Sequence, residues 1–285
     1  PTSNRLRRRD FLKSAALSGV ALPAIAEEKS PNEKLSVAVI GVAGRGAAQL
    51  NAAAEENIVA LCDVDSQKLG AAAGRFPKAR TFADFREMFD QMHRQIDAVT
   101  VSTPDHVHAP ASAMAMRLGK HCYCEKPLTH SVHETRVLTD LAREKKLATQ
   151  LGTQIHAGTN YRRAVELVQG GAIGPVREVH VWLGANFQNP PRPSGISQPD
   201  APADRPPVPP HLDWGLWLGP APERPYHPAY VPGRWRSWWA FGNGTLGDFF
   251  CHYCDLAFWA LKLRYPTSVA AEGPVHPESA ARWTI

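Results

Sequence analysis

The chain has 285 residues, 44% of them apolar, enough for two domains with real cores. Its formal charge of +5 is concentrated at one end: residues 1–26 hold Arg5, Arg7, Arg8, Arg9 and Lys13 against Asp10. The body is therefore close to neutral, and nothing in it reads as a basic stripe for nucleic acid.

In chain order, the first feature is an address. Arg8-Arg9-Asp10-Phe11-Leu12-Lys13 is a twin-arginine sequence, 15–25 is a short apolar run, and Ala24-Ile25-Ala26 offers a small-x-small cleavage site. The run is too short, and too rich in Ala, Ser and Gly, to span a bilayer. Residues 1–26 read as an export signal that engages the twin-arginine machinery and sends the protein to the periplasm. Residues 27–34 read as a polar linker.

From there short apolar runs alternate with amphipathic ones. Strands are expected at 35–40, 58–62, 98–102, Cys122-Tyr123 and 147–151. Helices are expected at 47–54, 66–73, 83–92, 107–118 and 131–145. Such alternation implies βαβ units and a parallel sheet, with a domain over 35–155. The turn Gly41-Val42-Ala43-Gly44-Arg45-Gly46 lies between the first strand and helix, where backbone N–H groups and a helix N-terminus can meet a pyrophosphate. Ala43 departs from the G-x-G-x-x-G pattern. Asp63 stands 22 residues beyond Gly41, at the end of the second strand, where a carboxylate accepts from ribose hydroxyls and repels a 2′-phosphate. NAD is favoured, while Arg45 keeps NADP open. Thr103-Pro104-Asp105-His106 and Glu125-Lys126-Pro127 follow later strands, in loops that face the ligand crevice of such a sheet. His106 and His108 have no convergent acid in view, so no metal is expected.

The grammar changes near residue 155. A helix is expected at 161–169, and 175–182 alternates like a strand exposed on one face. Residues 185–235, with Pro-Pro at 190–191, 206–207 and 209–210, read as a long surface excursion. A helix is expected at 246–261 and a strand from 267 to 272. The last residues stop mid-pattern, so a piece cut short at its C-terminus is expected. All five cysteines are read as thiols without a redox or zinc role. Cys251-x-x-Cys254 lies inside an apolar helical pattern, and no second pair completes a four-ligand site.

Asp248 and His252 are four apart, hence neighbours on one helix face, and an imidazole can take a hydroxyl proton near neutral pH. Gln154, His156 and Tyr161 follow the last strand of the first domain, where substrate contacts belong. Arg236, Trp238 and Trp239 precede the later helix, and aromatic faces stack on sugar C–H surfaces.

Taken together, the glycine turn, Thr103-Pro104, Glu125-Lys126-Pro127 and Gly244-x-x-x-Asp248-x-x-x-His252 resemble the Gfo/Idh/MocA oxidoreductase family over about residues 35–262. The resemblance implies a Rossmann domain plus a C-terminal α+β domain (156–285) with a mainly antiparallel open sheet that builds a homo-oligomer. It implies catalytic roles for Lys126, Asp248 and His252 around a nicotinamide. Cofactor contacts are expected from Gly41, Ala43, Gly44, Arg45, Gly46, Asp63, Thr103, Pro104, His106, Glu125 and Lys126, and substrate contacts from Gln154, His156, Tyr161, Arg236 and Trp238. The expected activity is NAD(P)-dependent hydride exchange with a hydroxyl-bearing carbon of a sugar or polyol, with the cofactor tightly bound because little free nicotinamide exists outside the cytoplasm. The alternatives are redox-neutral NAD-dependent glycoside cleavage or elimination, and a non-catalytic sugar-binding protein.

Overall fold

The computed structural model describes residues 34–182, 200–270 and 277–279. The expected export signal and most of the expected linker lie outside these residues. Everything below concerns the unit that begins at Leu35.

Its frame is a six-stranded sheet of order β3-β2-β1-β4-β5-β6, parallel throughout. The strands are β1 (Ser36–Ile40), β2 (Asn57–Cys62), β3 (Arg80–Phe82), β4 (Ala98–Val101), β5 (His121–Glu125) and β6 (Thr149–Gly152). Between them run α1 (Arg45–Ala52), α2 (Ser66–Arg75), α3 (Phe85–Met92), α4 (Asp105–Arg117) and α5 (Val132–Lys145). The strand order reverses between β1 and β4, which opens a crevice outside their carboxyl ends. β3, only three residues long, is the one strand its sequence pattern hides.

Alternation along the strands, shifted once in β2 by an irregularity between Ile58 and Ala60, divides the core. Ala38, Ile40, Val99, Val101, Cys122 and Cys124 face α3, α4 and α5. Val37, Val39, Ile58 and Leu61 face the other way, with Leu50 of α1 and Ala72 of α2. Helix starts are locally encoded. Asp65 and Asp84 accept from the first-turn N–H groups of α2 and α3. Ser131 and Glu134 form a reciprocal capping box on α5.

Beyond β6 the chain forms a 3-10 turn (Gln154–Ala157), α6 (Thr159–Gln169), α7 (Trp214–Leu218), a second 3-10 turn (Arg234–Ser237), α8 (Gly244–Tyr253) and α9 (Asp255–Ala260). Three expectations need correction. Residues 175–182 form no strand: they are irregular and open to solvent, with Trp182 81% exposed. A strand holds only against a neighbour, and among the described residues none lies beside them. The expected helix over 246–261 is two helices, which meet at Cys254. The Pro/Trp-rich stretch is a surface excursion only over its described residues 200–210, which are irregular and mostly exposed. Residues 212–241 build a third core from Trp217, Leu218, Tyr230, Trp235, Trp238 and Phe241. Among the described residues no strand follows β6, and of the expected strand at 267–272 only 267–270 are described, without strand structure.

Candidate nicotinamide-dinucleotide site

The glycine turn is shaped by close backbone approach. Gly41 has φ +81°, and a Cβ there would lie 2.7 Å from the Ser102 carbonyl oxygen. A Cβ on Gly46 would lie 1.8 Å from the Gly41 carbonyl oxygen. Gly44, also at positive φ, opens α1 without a side-chain cap. The turn is thus backbone packed on backbone, closed by a Gly46 N–H bond to the Ala43 carbonyl (2.9 Å), at a helix N-terminus of the kind that receives phosphates.

Asp63 sits at the tip of β2, as its spacing predicts. Its two oxygens accept from Val42 N (3.0 Å) and Asp65 N (3.0 Å), so it braces the glycine turn as well as facing the crevice. Burial raises its pKa, against the pull of those two N–H bonds. Thr103 and Pro104 lead directly into α4.

Glu125, at the end of β5, is buried and gathers a network. Its Oε1 accepts from Arg45 Nε (3.1 Å), Gln154 Nε2 (2.7 Å), Tyr123 OH (3.3 Å) and Gln49 Nε2. Its Oε2 has no partner, and a Cβ on Gly152 would lie 2.8 Å from it. Arg45, expected at a phosphate, is therefore tied to Glu125. Gln49 and Tyr123 escaped the sequence reading; their one signal was polarity on elements otherwise apolar toward the sheet.

One residue later Lys126 Nζ donates to both the side-chain Oδ1 and the backbone carbonyl of Asp248, each at 2.6 Å. Arg236 Nε holds the other carboxylate oxygen at 3.0 Å. The carboxylate is 4% exposed and sits between two cations, so each part leans on the others. His252 lies one turn along α8 on the same face. Its Nδ1 is buried without a partner. Burial lowers its pKa, with the Lys126 charge adding and Asp248 opposing. The ring is neutral at pH 7, able to accept a proton. The residues at 126, 236, 248 and 252, far apart in sequence, are thus drawn to one place. Tyr161 OH donates to the His252 carbonyl at 2.6 Å, and His156 pairs through Nδ1 with Asp255 (2.8 Å) while stacking on Trp259.

Two expected ligand contacts fall elsewhere. His106 is 2% exposed; Nε2 meets the Trp217 carbonyl at 3.0 Å, Nδ1 the Phe241 carbonyl at 3.3 Å, and its ring packs between those two aromatics. Burial drives its pKa down to about 4. It fastens the third core to α4 and does not face the crevice. Trp238, also 2% exposed, donates its indole N–H to the Ala229 carbonyl and meets Tyr230 edge-on, so it is core and not a sugar platform. Sequence reasoning also passed over Asp105. This residue is buried, with Oδ2 accepting from Asn243 Nδ2 (3.2 Å) and Oδ1 without a partner. Burial, with the Asp248 charge adding, pushes it up to about 7.

The chain is similar to known proteins. A family model described as "Oxidoreductase family, NAD-binding Rossmann fold" matches residues 35–153, and its companion "C-terminal alpha/beta domain" matches 165–284. A dTDP-3,4-didehydro-2,6-dideoxy-alpha-D-glucose 3-reductase of Streptomyces violaceoruber is 38% identical over 135 residues, 47% of this chain and 37% of that protein. A glycosyl hydrolase family 109 protein of Shewanella pealeana is 27% identical over 201 residues, 60% of this chain and 44% of that protein. The chain thus spans less than half the length of these relatives. Among solved structures, GenD2 from gentamicin A biosynthesis, in complex with NAD, superposes with a TM-score of 0.56 at 21% identity, over 82% of this chain and 55% of that one. With two adjoining models of a single family matched in order from 35 to 284, the chain belongs to the Gfo/Idh/MocA oxidoreductase family.

Proposed function

We propose that the protein is an NAD(P)-dependent oxidoreductase that exchanges hydride with a hydroxyl-bearing carbon of a sugar or polyol. One observation carries the reading: Lys126, on the crevice side of β5, is locked to Asp248 at 2.6 Å, and His252 stands one turn further along the same helix face. The sugar reductase among the relatives and the NAD complex among the solved structures agree with it.

The residues fit a dinucleotide. Gly41 and Gly46 let the turn pack tightly on Ser102 and on itself at the start of α1, Gly44 opens onto free space, and the orphaned His252 Nδ1 awaits a polar partner. The Gly41-Val42-Ala43-Gly44-Arg45-Gly46 turn would hold the pyrophosphate, Asp63 a ribose, and Thr103, Pro104, Glu125 and Lys126 the nicotinamide end. When bound, the nicotinamide accepts or returns hydride. Lys126 donates to the reacting oxygen and is aimed by its bond to Asp248. His252, neutral at pH 7, takes the hydroxyl proton during oxidation. Gln154, His156, Tyr161 and Arg236, now bonded to Glu125, Asp255, the His252 carbonyl and Asp248, are the candidates for further hydroxyl contacts.

The remaining features follow as proposals. Residues 1–26 act as a twin-arginine export signal, the protein works in the periplasm, and its cofactor stays bound through the cycle. The domain boundary falls near residue 155, and the C-terminal domain completes an antiparallel sheet that pairs subunits. A second reading, redox-neutral glycoside cleavage, is favoured by the family 109 relative, whose alignment covers more of this chain than that of the sugar reductase. Both readings begin with the same hydride removal.

The test is turnover by Lys126→Ala and His252→Ala. Sugar-dependent reduction of NAD falls by about 10²–10⁴-fold in each, while nucleotide still binds. Unchanged turnover in both variants ends the assignment. Because the His252 pKa is lowered, oxidation by the wild type declines only on acidification below the ordinary histidine range. Product analysis with free sugars and aryl glycosides separates net oxidation from cleavage.

A further inference from the structure

The first turn of α4 is a buried polar knot, and the reading above leaves one member of it without a task. His108 is 1% exposed. Its Nδ1 lies 2.7 Å from the Pro127 carbonyl oxygen and its Nε2 lies 2.8 Å from the Thr103 carbonyl oxygen. These carbonyls belong to the two loops that leave β5 and β4 at the crevice. No other bond joins the two loops through a side chain among the hydrogen bonds described. Pro127 directly follows Lys126, whose ammonium grips Asp248.

We propose that His108 is a positioning residue, a staple between the Thr103-Pro104 loop and the Lys126-Pro127 turn that sets where the Lys126 ammonium stands. The inference rests on the reading of this crevice as the nicotinamide site. The chemistry is selective. Two carbonyl oxygens at hydrogen-bond distance call for two N–H donors, and an imidazole has both only when protonated. A neutral ring grips one carbonyl and turns a lone pair toward the other. The groups that decide the balance are Glu125 on β5, Arg236 on the 3-10 turn and His106 on the same helix. Burial lowers the His108 pKa; the two carbonyls and Glu125 oppose it, and Arg236 reinforces it. Burial thus favours the neutral ring, which donates to one carbonyl, and a second donor bond needs the protonated ring.

Two substitutions take the staple apart one side at a time. The amide nitrogen of asparagine falls near Nδ1 of a histidine, and that of glutamine near Nε2. His108→Asn therefore keeps the Pro127 bond and loses the Thr103 bond, and His108→Gln does the reverse. In the full chain, NADH titration followed by tryptophan fluorescence gives about tenfold weaker binding for His108→Gln and less than about threefold for His108→Asn. Amide hydrogen exchange without nucleotide speeds up over residues 126–130 in His108→Gln and over 103–106 in His108→Asn. A residue that merely filled space would give the two variants equal losses, and that result, or wild-type behaviour in both, overturns the proposal. If the wild type binds neither NADH nor NADPH, the functional reading fails while the exchange pattern still decides the staple. Should neither variant fold, imidazole 15N spectra of the wild type decide. One protonated His108 nitrogen is expected at neutral pH, Nδ1, bonded to the Pro127 carbonyl, with Nε2 gaining its proton only on acidification past the ordinary histidine value; a proton on Nε2 alone at neutral pH overturns the staple.

Discussion

The sheet half of the molecule and the aromatic half after β6 are held together by different kinds of information. In the sheet, alternate residues of the central strands enter one of two apolar cores, and most helix starts carry their own cap. In the second half, rings from residues scattered over 212–241 pack on one another, and single polar bonds tie them back to the sheet. A periodic pattern needs only its neighbours in sequence to be read; a cluster of rings needs the fold. The comparison teaches that this site is assembled where the two kinds of order meet, with Lys126 contributed by one half and Asp248 by the other.

The sharpest way to break that contrast is to remove a ring. Trp238→Ala leaves a large hole in the third core and costs about 3–5 kcal/mol. If the halves are organised separately, hydrogen exchange rises first over residues 212–241 and α8, while β1, β2 and β4 keep their protection. Uniform loss of protection across both halves would show a single cooperative core and erase the distinction.

A second test uses the buried carboxyl at the seam. Asp105 titrates at about 7 when folded against an ordinary value of 3.8, because burial, with Asp248 nearby, disfavours its charge. The native state therefore holds a proton that the unfolded chain has released between those two values. Stability contributed by this group is full below about pH 4, declines as pH rises toward 7, and is absent above. Asp105→Asn removes the titration. Its stability relative to wild type rises by on the order of a few kcal/mol between pH 4.5 and pH 8. The measurement is denaturant unfolding at both pH values; a difference that does not change with pH would place the ionised carboxylate in a compensated site.

These two tests also mark how far the sequence could be read. Gly41, Gly46, Asp63, Glu125 and Lys126 were legible because a strand-turn-helix grammar fixes which end of the sheet they occupy. Asp248 and His252 were legible as one helix face, and their approach to Lys126 came from family resemblance and not from pattern. His106 and Trp238 misled. Histidine and tryptophan have both apolar bodies and polar tips, so sequence cannot separate a ligand contact from a core group whose tip bonds a carbonyl. The 175–182 segment misled differently, since alternation reports a preference for a sheet without supplying the neighbouring strand.

The smallest expected effect sets the two kinds of helix start against each other. At α5, Ser131 caps N–H groups of its own helix and Glu134 returns the bond. At α8 the equivalent residue, Asn243, makes no side-chain bond to its helix. Its amide instead donates to Asp105 Oδ2 at 3.2 Å and to the Thr129 carbonyl at 3.4 Å. Ser131→Ala thus removes a local bond and costs about 1 kcal/mol, with nucleotide affinity unchanged. Asn243→Ala removes no helix cap, so its cost in global stability is similar or smaller. It does release the start of α8 from α4 and from the loop after Lys126. Asn243→Ala is therefore expected to weaken NADH binding several-fold where Ser131→Ala does not, at about 1 kcal/mol per lost bond. Equal effects of the two substitutions on affinity would mean that α8 is seated by its apolar contacts alone, and that Asn243 is a spectator at the seam.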